Sequence, residues 1–463
     1  MNEIFYADLQ VAARLIQSRE LSSQALTSTM LARIAQQNPH LHAYITVMAD
    51  SALDYARQMD AEIAQGKVRG PLHGVPIAVK DIFWTTDAPT TAGMGIHQNF
   101  IAATDATVIQ RLRAAGAVML GKLTLTEGVY AEHSPPFSAP LNPWGAEYWS
   151  GASSSGSAVA TAAGLAFATL CSETGGSIKL PCAANGVTGI KPTWGRVSRH
   201  GVFELAATLD HVGVMARSVA DAATMFAAIA GADPLDPTAS QSALPDYVAG
   251  LNVGVQGLRI GIDRQWLQDG VDEQILAALN EALAVLCSQG AVLEEVRVPD
   301  VSGMIWDWFG VCAVQTALAH KETYPAAKDH YGPALSELLD KGNAMTGLDY
   351  QQLLLRREDF RGRLNRLLTE VDVLALPVLA FQTPSIERME NVDHDLIAGL
   401  HRFTCPFNMS GHPGIILPCG FTDAGMPIVF QLVGRHFSED VLFAAGHSYQ
   451  QATDWHRRRP AAL

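Results

Sequence analysis

Val75-Pro-Ile-Ala-Val79 runs five residues without a polar break. A strand with one wet face alternates apolar and polar side chains, so an unbroken run belongs to a strand buried on both faces. Thr107 to Ala115 then reads with a helical period, and Ala117-Val-Met-Leu120 is a second unbroken run. Strand, helix, strand predicts an α/β fold. The expectation is a single large domain, with a central mixed, mostly parallel, twisted sheet flanked by many helices.

The same pattern recurs downstream. Arg259 to Asp263, a helix over 272–289 and Val292 to Val298 make one more strand–helix–strand unit. Val371 to Leu376, Ile415-Ile-Leu-Pro418 and Ile428 to Val433 read as further strands. Near the start, Ser22 or Ser23 caps a helix with Leu26, Met30 and Ile34 on one face, and Asn38-Pro39 is expected to end it. Ala52, Ala56, Met59 and Ile63 form a second stripe. Ser218-Val-Ala-Asp221 is a capping box opening a helix that runs to Gly231, and Leu353, Phe360, Leu364 and Leu367 mark a long amphipathic helix. The Asp-, Pro- and Ser-rich segment from 232 to about 257 reads as a surface excursion, because strands continue on both sides of it.

Composition excludes several classes. The 463 residues are 48% hydrophobic and 17% charged, which suits a large core. A net charge of −14, from 46 acidic and 32 basic residues, makes a poor partner for nucleic acid or an anionic membrane. MNEIFYADLQ shows no basic segment followed by an apolar one, so no signal peptide is expected. Ala158 to Leu170 is too short to span a bilayer. The six cysteines form no CxxC and have no His cluster beside them. No zinc site or disulfide framework is therefore expected, and free thiols suggest a cytoplasmic chain.

Familiar catalytic signatures are missing: there is no GxSxG, HExxH or GxxxxGK[ST]. His133 and His200 stand in no motif and read as structural histidines. Three local features remain. Lys80 ends the run Val75–Val79, where a lysine is unusual, although it could simply snorkel past the strand end. WSGASSSGS, 149–157, is either a linker or a tightly bent backbone. In Glu173-Thr-Gly-Gly-Ser177-Ile-Lys-Leu-Pro181 two glycines precede a serine, so the N–H groups can turn inward as an anion-binding nest, or the segment is an ordinary turn.

Taken in order, GVPIAVKD, GASSSGS and TGGSIKLP resemble the amidase signature family. The resemblance continues through Gly189-Ile-Lys-Pro-Thr-Trp-Gly-Arg-Val-Ser198, Leu209-Asp-His-Val-Gly213 and Met215-Ala-Arg-Ser-Val-Ala-Asp221. It reaches Gly414-Ile-Ile-Leu-Pro-Cys-Gly420 and Met426-Pro-Ile-Val-Phe-Gln-Leu-Val-Gly434. It implies one domain over 1–463, with N-terminal helices about 8–65, a catalytic core about 70–230 and a variable helical region about 299–370. Departures are local: Ala152 and Ser155 stand where the family commonly has glycine, and Glu173 and Lys179 where it commonly has Asp and Arg.

The resemblance implies a Ser-Ser-Lys triad: Ser177 as nucleophile, Ser153 as a bridging serine on a cis peptide bond, and Lys80 as base. A serine hydroxyl needs a place for its proton. Lys80 supplies one only when neutral, which for an ordinary lysine at pH 7 costs roughly 4.6 kcal/mol. Burial can supply that shift, provided Asp81 points away. Backbone N–H groups of Thr174, Gly175, Gly176 and Ser177 would form the oxyanion hole. No metal or organic cofactor is required. The expected reaction is acyl transfer to water through an acyl-enzyme, on an amide, ester or carbamate.

By analogy with the family, the loop after Lys122 lines the acyl side, making Trp84, Glu127, Tyr130 and Phe137 candidate substrate contacts. Met304-Ile-Trp-Asp-Trp-Phe309 is either core or an aromatic wall that favours an aryl amide or carbamate (urethane). The partner expected is a small molecule, and the chain a monomer or homodimer. The alternative is the glutaminase component of a tRNA-dependent amidotransferase, against which the stretch Val202–Thr208 and the loop after Lys122 speak.

Overall fold

Seven strands of the computed structural model, which describes residues 4–461, are buried at every position. In chain order the strands are β1 (Tyr44–Val47), β2 (Pro76–Lys80), β3 (Val118–Leu123), β4 (Ala168–Glu173), β5 (Thr188–Lys191) and β6 (His211–Ala216). Then come β7 (Arg259–Ile262), β8 (Val292–Glu295), β9 (Val373–Pro377), β10 (Gly414–Phe421) and β11 (Pro427–Gly434). They form one eleven-stranded sheet in the order β1-β3-β2-β4-β6-β5-β10-β11-β9-β7-β8. Its two edge strands, β1 and β8, are the most open to solvent.

The sheet is mixed, as expected, but it is not mostly parallel. Four of the ten pairings are parallel, β2/β3, β2/β4, β7/β8 and β7/β9, and six are antiparallel. The parallel pairs sit toward the two flanks, where helices cross between successive strands. Thr107–Ala114 precedes β3 and Glu273–Ser288 joins β7 to β8. The middle, from β4 to β9, is antiparallel throughout. There β10 turns directly into β11 through a hairpin closed by Thr422 N to Met426 O at 2.8 Å.

Local signals explain most helices. Ser22 accepts from Ala25 N and starts the helix Ser23–Leu41, which buries Leu26, Met30 and Ile34. That helix runs past Pro39 instead of stopping there. Pro39 lies in the last turn, and the helix closes on His42 in the left-handed region, whose N–H reaches Asn38 O at 2.8 Å. The Asn38 side chain then brackets the Tyr44 backbone at 2.8 and 3.1 Å and fixes the exit into β1. Ser218 accepts from Asp221 N and caps Val219–Ile229. The segment 232–257 leaves and rejoins the same sheet, held by Ser198 Oγ on Asp233 and Arg199 N on Asp236.

β2 and β4 are parallel neighbours, so their C-terminal ends emerge side by side. Lys80 is the last residue of β2, and Ser172 and Glu173 are the last of β4. Two wholly buried helices, Ser155–Ala162 and Lys179–Asn185, begin at the same end. Chain ends of parallel strands leave open groups where ligands and chemistry collect.

Candidate active site

Lys80 is fully buried, and its Nζ lies within hydrogen-bond distance of three hydroxyls: Ser153 Oγ at 2.7 Å, Ser154 Oγ at 2.9 Å and Ser172 Oγ at 3.1 Å. Burial pushes its pKa down to about 7, against the pull of the Asp210 and Glu173 carboxylates. Asp81, next in sequence, faces elsewhere. Its Oδ1 lies 3.0 Å from Lys122 Nζ, and its Oδ2 accepts from Thr91 N and Thr91 Oγ1 at 2.9 and 2.5 Å. Lys122 also donates to Phe83 O, Pro89 O, Thr85 Oγ1 and Thr90 Oγ1. A second buried lysine thus holds the carboxylate that would otherwise keep Lys80 charged.

The stretch 149–157 is not a linker. The Ala152–Ser153 peptide is cis. Gly151 has φ 85°, and a Cβ there would stand 2.4 Å from Pro181 Cα, so only glycine fits. Ser154 Oγ donates to Ser172 O at 3.1 Å, tying the turn to the end of β4. Ser155, one of the departures from the family pattern, is buried and 2.9 Å from His133 Nε2. Its hydroxyl joins this turn to the loop after β3, a contact glycine could not make.

Ser177 follows β4. Its exposure is 9%, whereas Ser153 and Ser154 are at 0%, so Ser177 is the residue of the three that solvent reaches. The segment before it is braced on both sides. Glu173 Oε1 pairs with Lys179 Nζ at 2.6 Å, and its Oε2 accepts from Ile178 N and Lys179 N at 2.9 and 3.0 Å. Burial pushes the Glu173 carboxyl upward, but Lys179, Lys191 and these hydrogen bonds outweigh it and hold it below the usual range. With lysine in place of arginine, one oxygen takes the ion pair and the other caps the helix Lys179–Asn185. Thr174 Oγ1 donates to Asp210 Oδ1 at 2.7 Å, and Asp210 also accepts from Leu205 N and Ala206 N. Burial raises Asp210 to about 6.

The carbonyls of this segment are claimed from outside it. Trp308 Nε1 donates to Thr174 O at 2.8 Å, and Thr404 Oγ1 and Cys405 Sγ donate to Gly175 O at 2.6 and 3.3 Å. The N–H groups of Gly175, Gly176 and Ser177 donate none of the backbone hydrogen bonds found outside helices and strands among the described residues.

The structure brings Lys80 and Ser153 into contact and sets Ser177 at the end of the adjoining strand. The expected substrate contacts fare differently. Glu127 is buried and its carboxylate accepts from Gly332 N at 2.9 and 3.1 Å, so it fastens the loop after β3 to the segment before Pro333. Tyr130 is partly buried and packs on the core, and burial raises its hydroxyl, with Cys312 and Cys405 among the groups it feels. Trp84 packs edge-on to Phe100 and His200. Phe137 is half-buried, its N–H bonded to Ser134 O at 3.0 Å. Of the 304–309 aromatics, Trp308 is buried against the Glu173–Ser177 segment, while Trp306 is exposed and stacks on His394. Asp210 lies within the motif Leu209–Gly213, which by itself assigns it no role. Thr404 and Cys405 carry no local signal.

The sequence matches the Amidase family profile over residues 25–443. AmiD of Mycobacterium tuberculosis, a chain that carries an amidase name, is 46% identical over 456 residues, 98% of this chain and 95% of that one. The A subunit of the glutamyl-tRNA(Gln) amidotransferase of Chloroflexus aggregans is 36% identical over 488 residues, 99% of both chains. Among solved structures, 6-aminohexanoate cyclic dimer hydrolase complexed with substrate superposes with a TM-score of 0.90 at 28% identity, over 99% of both chains.

Proposed function

The chain belongs to the amidase signature family of amide C–N hydrolases, and from that premise we propose that it works through an acyl-enzyme on Ser177, with Ser153 and Lys80 moving the proton. The observation that carries this reading is the 2.7 Å contact between Lys80 Nζ and Ser153 Oγ, made by a buried lysine whose pKa is pushed down to about 7. A neutral amine has two N–H donors and one lone pair. Ser154 spends its own proton on Ser172 O, so toward Lys80 it accepts. Ser172 takes the second N–H. The lone pair is left for the Ser153 proton.

In the reaction, Ser177 Oγ attacks the amide carbonyl as its proton passes to Ser153 Oγ, and the Ser153 proton passes to Lys80 Nζ. The carbonyl oxygen becomes an oxyanion, met by N–H groups of Thr174, Gly175, Gly176 and Ser177, each donor worth on the order of 3 kcal/mol. Lys80 returns its proton through Ser153 to the leaving nitrogen, the C–N bond breaks, and amine departs. Water then attacks the Ser177 ester by the same relay and releases the acid.

Within this chemistry the substrate proposed is an aryl or apolar acyl amide, with carbamates (urethanes) and esters open to the same route. The higher identity to AmiD than to the amidotransferase chain, 46% against 36%, favours a self-sufficient amidase, monomer or homodimer, over a component of a larger complex. No described helix is long and apolar enough to cross a membrane, and the six cysteines are unpaired, which suits a cytoplasmic setting.

The test is turnover across anilides, carbamates, esters and primary amides by the chain purified alone, with Ser177→Ala as blank. Ser177→Ala is expected to lose turnover and labelling by a fluorophosphonate. Undiminished labelling of that variant would sink the assignment. Activity on glutamine alone, and only with added partner chains, would favour the amidotransferase role.

A further inference from the structure

The amide-hydrolysis reading needs N–H groups fixed toward the oxyanion, and the fixing groups lie far away in sequence. A trans peptide sets its carbonyl and its N–H on opposite sides of the C–N bond. Whatever holds the carbonyl of Thr174 therefore aims the N–H of Gly175, and whatever holds the carbonyl of Gly175 aims the N–H of Gly176. The first is held by Trp308 Nε1 at 2.8 Å, and the second by Thr404 Oγ1 at 2.6 Å with Cys405 Sγ at 3.3 Å.

These donors form one wall. Trp308 stacks on His401, with ring centroids 5.6 Å apart and planes at 22°, and His401 Nδ1 lies 3.4 Å from Cys405 Sγ. The backbone lies flat against this wall: a Cβ on Gly175 would stand 2.3 Å from Trp308 Cζ2, and one on Gly176 would stand 3.0 Å from Thr404 Oγ1. Trp308 and Thr404 are both buried, so neither donor is shared with bulk solvent. Two carbonyls drawn to one wall leave two N–H groups pointing away from it.

We propose that Trp308 and Thr404 are positioning residues for the oxyanion hole, acting through the carbonyls of Thr174 and Gly175. They touch no reacting atom. Trp308 comes from the helix Met304–Ala319, so a region outside the catalytic motifs would set the aim of the catalytic backbone. The inference rests on the Ser177 acyl-enzyme reading.

The experiment measures first-turnover release of p-nitrophenolate from p-nitrophenyl butyrate, and inhibition by butylboronic acid as a tetrahedral mimic. Trp308→Phe keeps a ring and removes the N–H. Thr404→Val keeps the volume and removes the hydroxyl, and Thr404→Ser restores it. Each loss of a donor is expected to slow acylation about ten- to hundredfold with half-saturation within about twofold, and to weaken boronate binding by a similar factor. Thr404→Ser should recover most of the rate. Acylation within about threefold of the parent in both donor-loss variants, or a loss seen only in half-saturation, would overturn the proposal. If Trp308→Phe does not fold, Thr404→Val against Thr404→Ser decides alone. A full burst from Ser177→Ala would instead mean that the acyl-enzyme reading itself has failed.

Discussion

Lys122 Nζ lies 3.0 Å from Asp81 Oδ1, both side chains fully buried, and this pair is why two adjacent charged residues, Lys80 and Asp81, can differ so far in role. Asp81 is held by Lys122 and Thr91, and Lys80 is left among hydroxyls.

Removing the cation tests this division. Lys122→Met leaves Asp81 buried without its cation, a change that costs about 3–5 kcal/mol when one partner of a buried pair is lost. In any fraction that folds, Lys80 should hold its proton to higher pH. Chemical denaturation reads the first effect, and an upward move of the acid limb of kcat/KM reads the second.

The pH profile of the parent follows from Lys80. Below about 7 the ammonium is present and cannot take a proton; above it the amine can. The rate constant kcat/KM is expected to rise tenfold per pH unit below about 7 and to level off above it. A profile flat from pH 5 to 9, measured as initial rates on one ester, would contradict a lysine base.

Lys80 also couples stability to pH. Its folded pKa, about 7, is below the ordinary 10.5, so between those values the unfolded chain carries a proton that the native chain lacks. Lys80 therefore destabilises the fold most below pH 7, and the penalty fades as pH rises toward 10.5. Lys80→Met should be inactive and more stable than the parent near neutrality. Between pH 8 and pH 9.5 the parent should close that gap by about 1.4 kcal/mol per unit. Urea midpoints of both chains across that range give the answer.

Ser155→Gly removes the hydroxyl that meets His133 at 2.9 Å and restores the residue common in the family. The loss expected is about 1 kcal/mol of stability, from one hydrogen bond and a glycine in a helix first turn, with turnover within about twofold. A collapse of kcat would give Ser155 a share in the chemistry. Thermal melts and kcat together separate the two.

What the sequence made legible depended on whether the signal was local. β2, β3, β7 and β8 stood out because parallel strands flanked by helices leave short apolar runs beside a helical period. β4 hid, because Ala168-Thr-Leu-Cys-Ser-Glu173 is a buried strand made of small and polar residues. In the antiparallel centre β9, β10 and β11 showed as apolar runs, but β5, β6 and the pairing of the strands did not. β10 pairs with β5 from more than two hundred residues away, and no local pattern records that pairing. In the site, Lys80, Ser153 and Ser177 each lie in an ordered motif. Trp308 and Thr404 meet the segment before Ser177 across 134 and 229 residues, from ordinary helix and turn sequence. Glu127 shows a contact the sequence did not signal: its buried carboxylate accepts from the backbone N–H of Gly332.

The three hydroxyls around Lys80 carry one last consequence. Its nitrogen has no exposed surface, and its hydrogen-bond partners all belong to the chain. On the proposed Ser177 acyl-enzyme reading, a proton that enters this circuit at Ser177 would leave by the same door, to the departing amine. Dissolved acids and bases then have no part in carrying it, and turnover at fixed pH and ionic strength should not respond to the concentration of buffer.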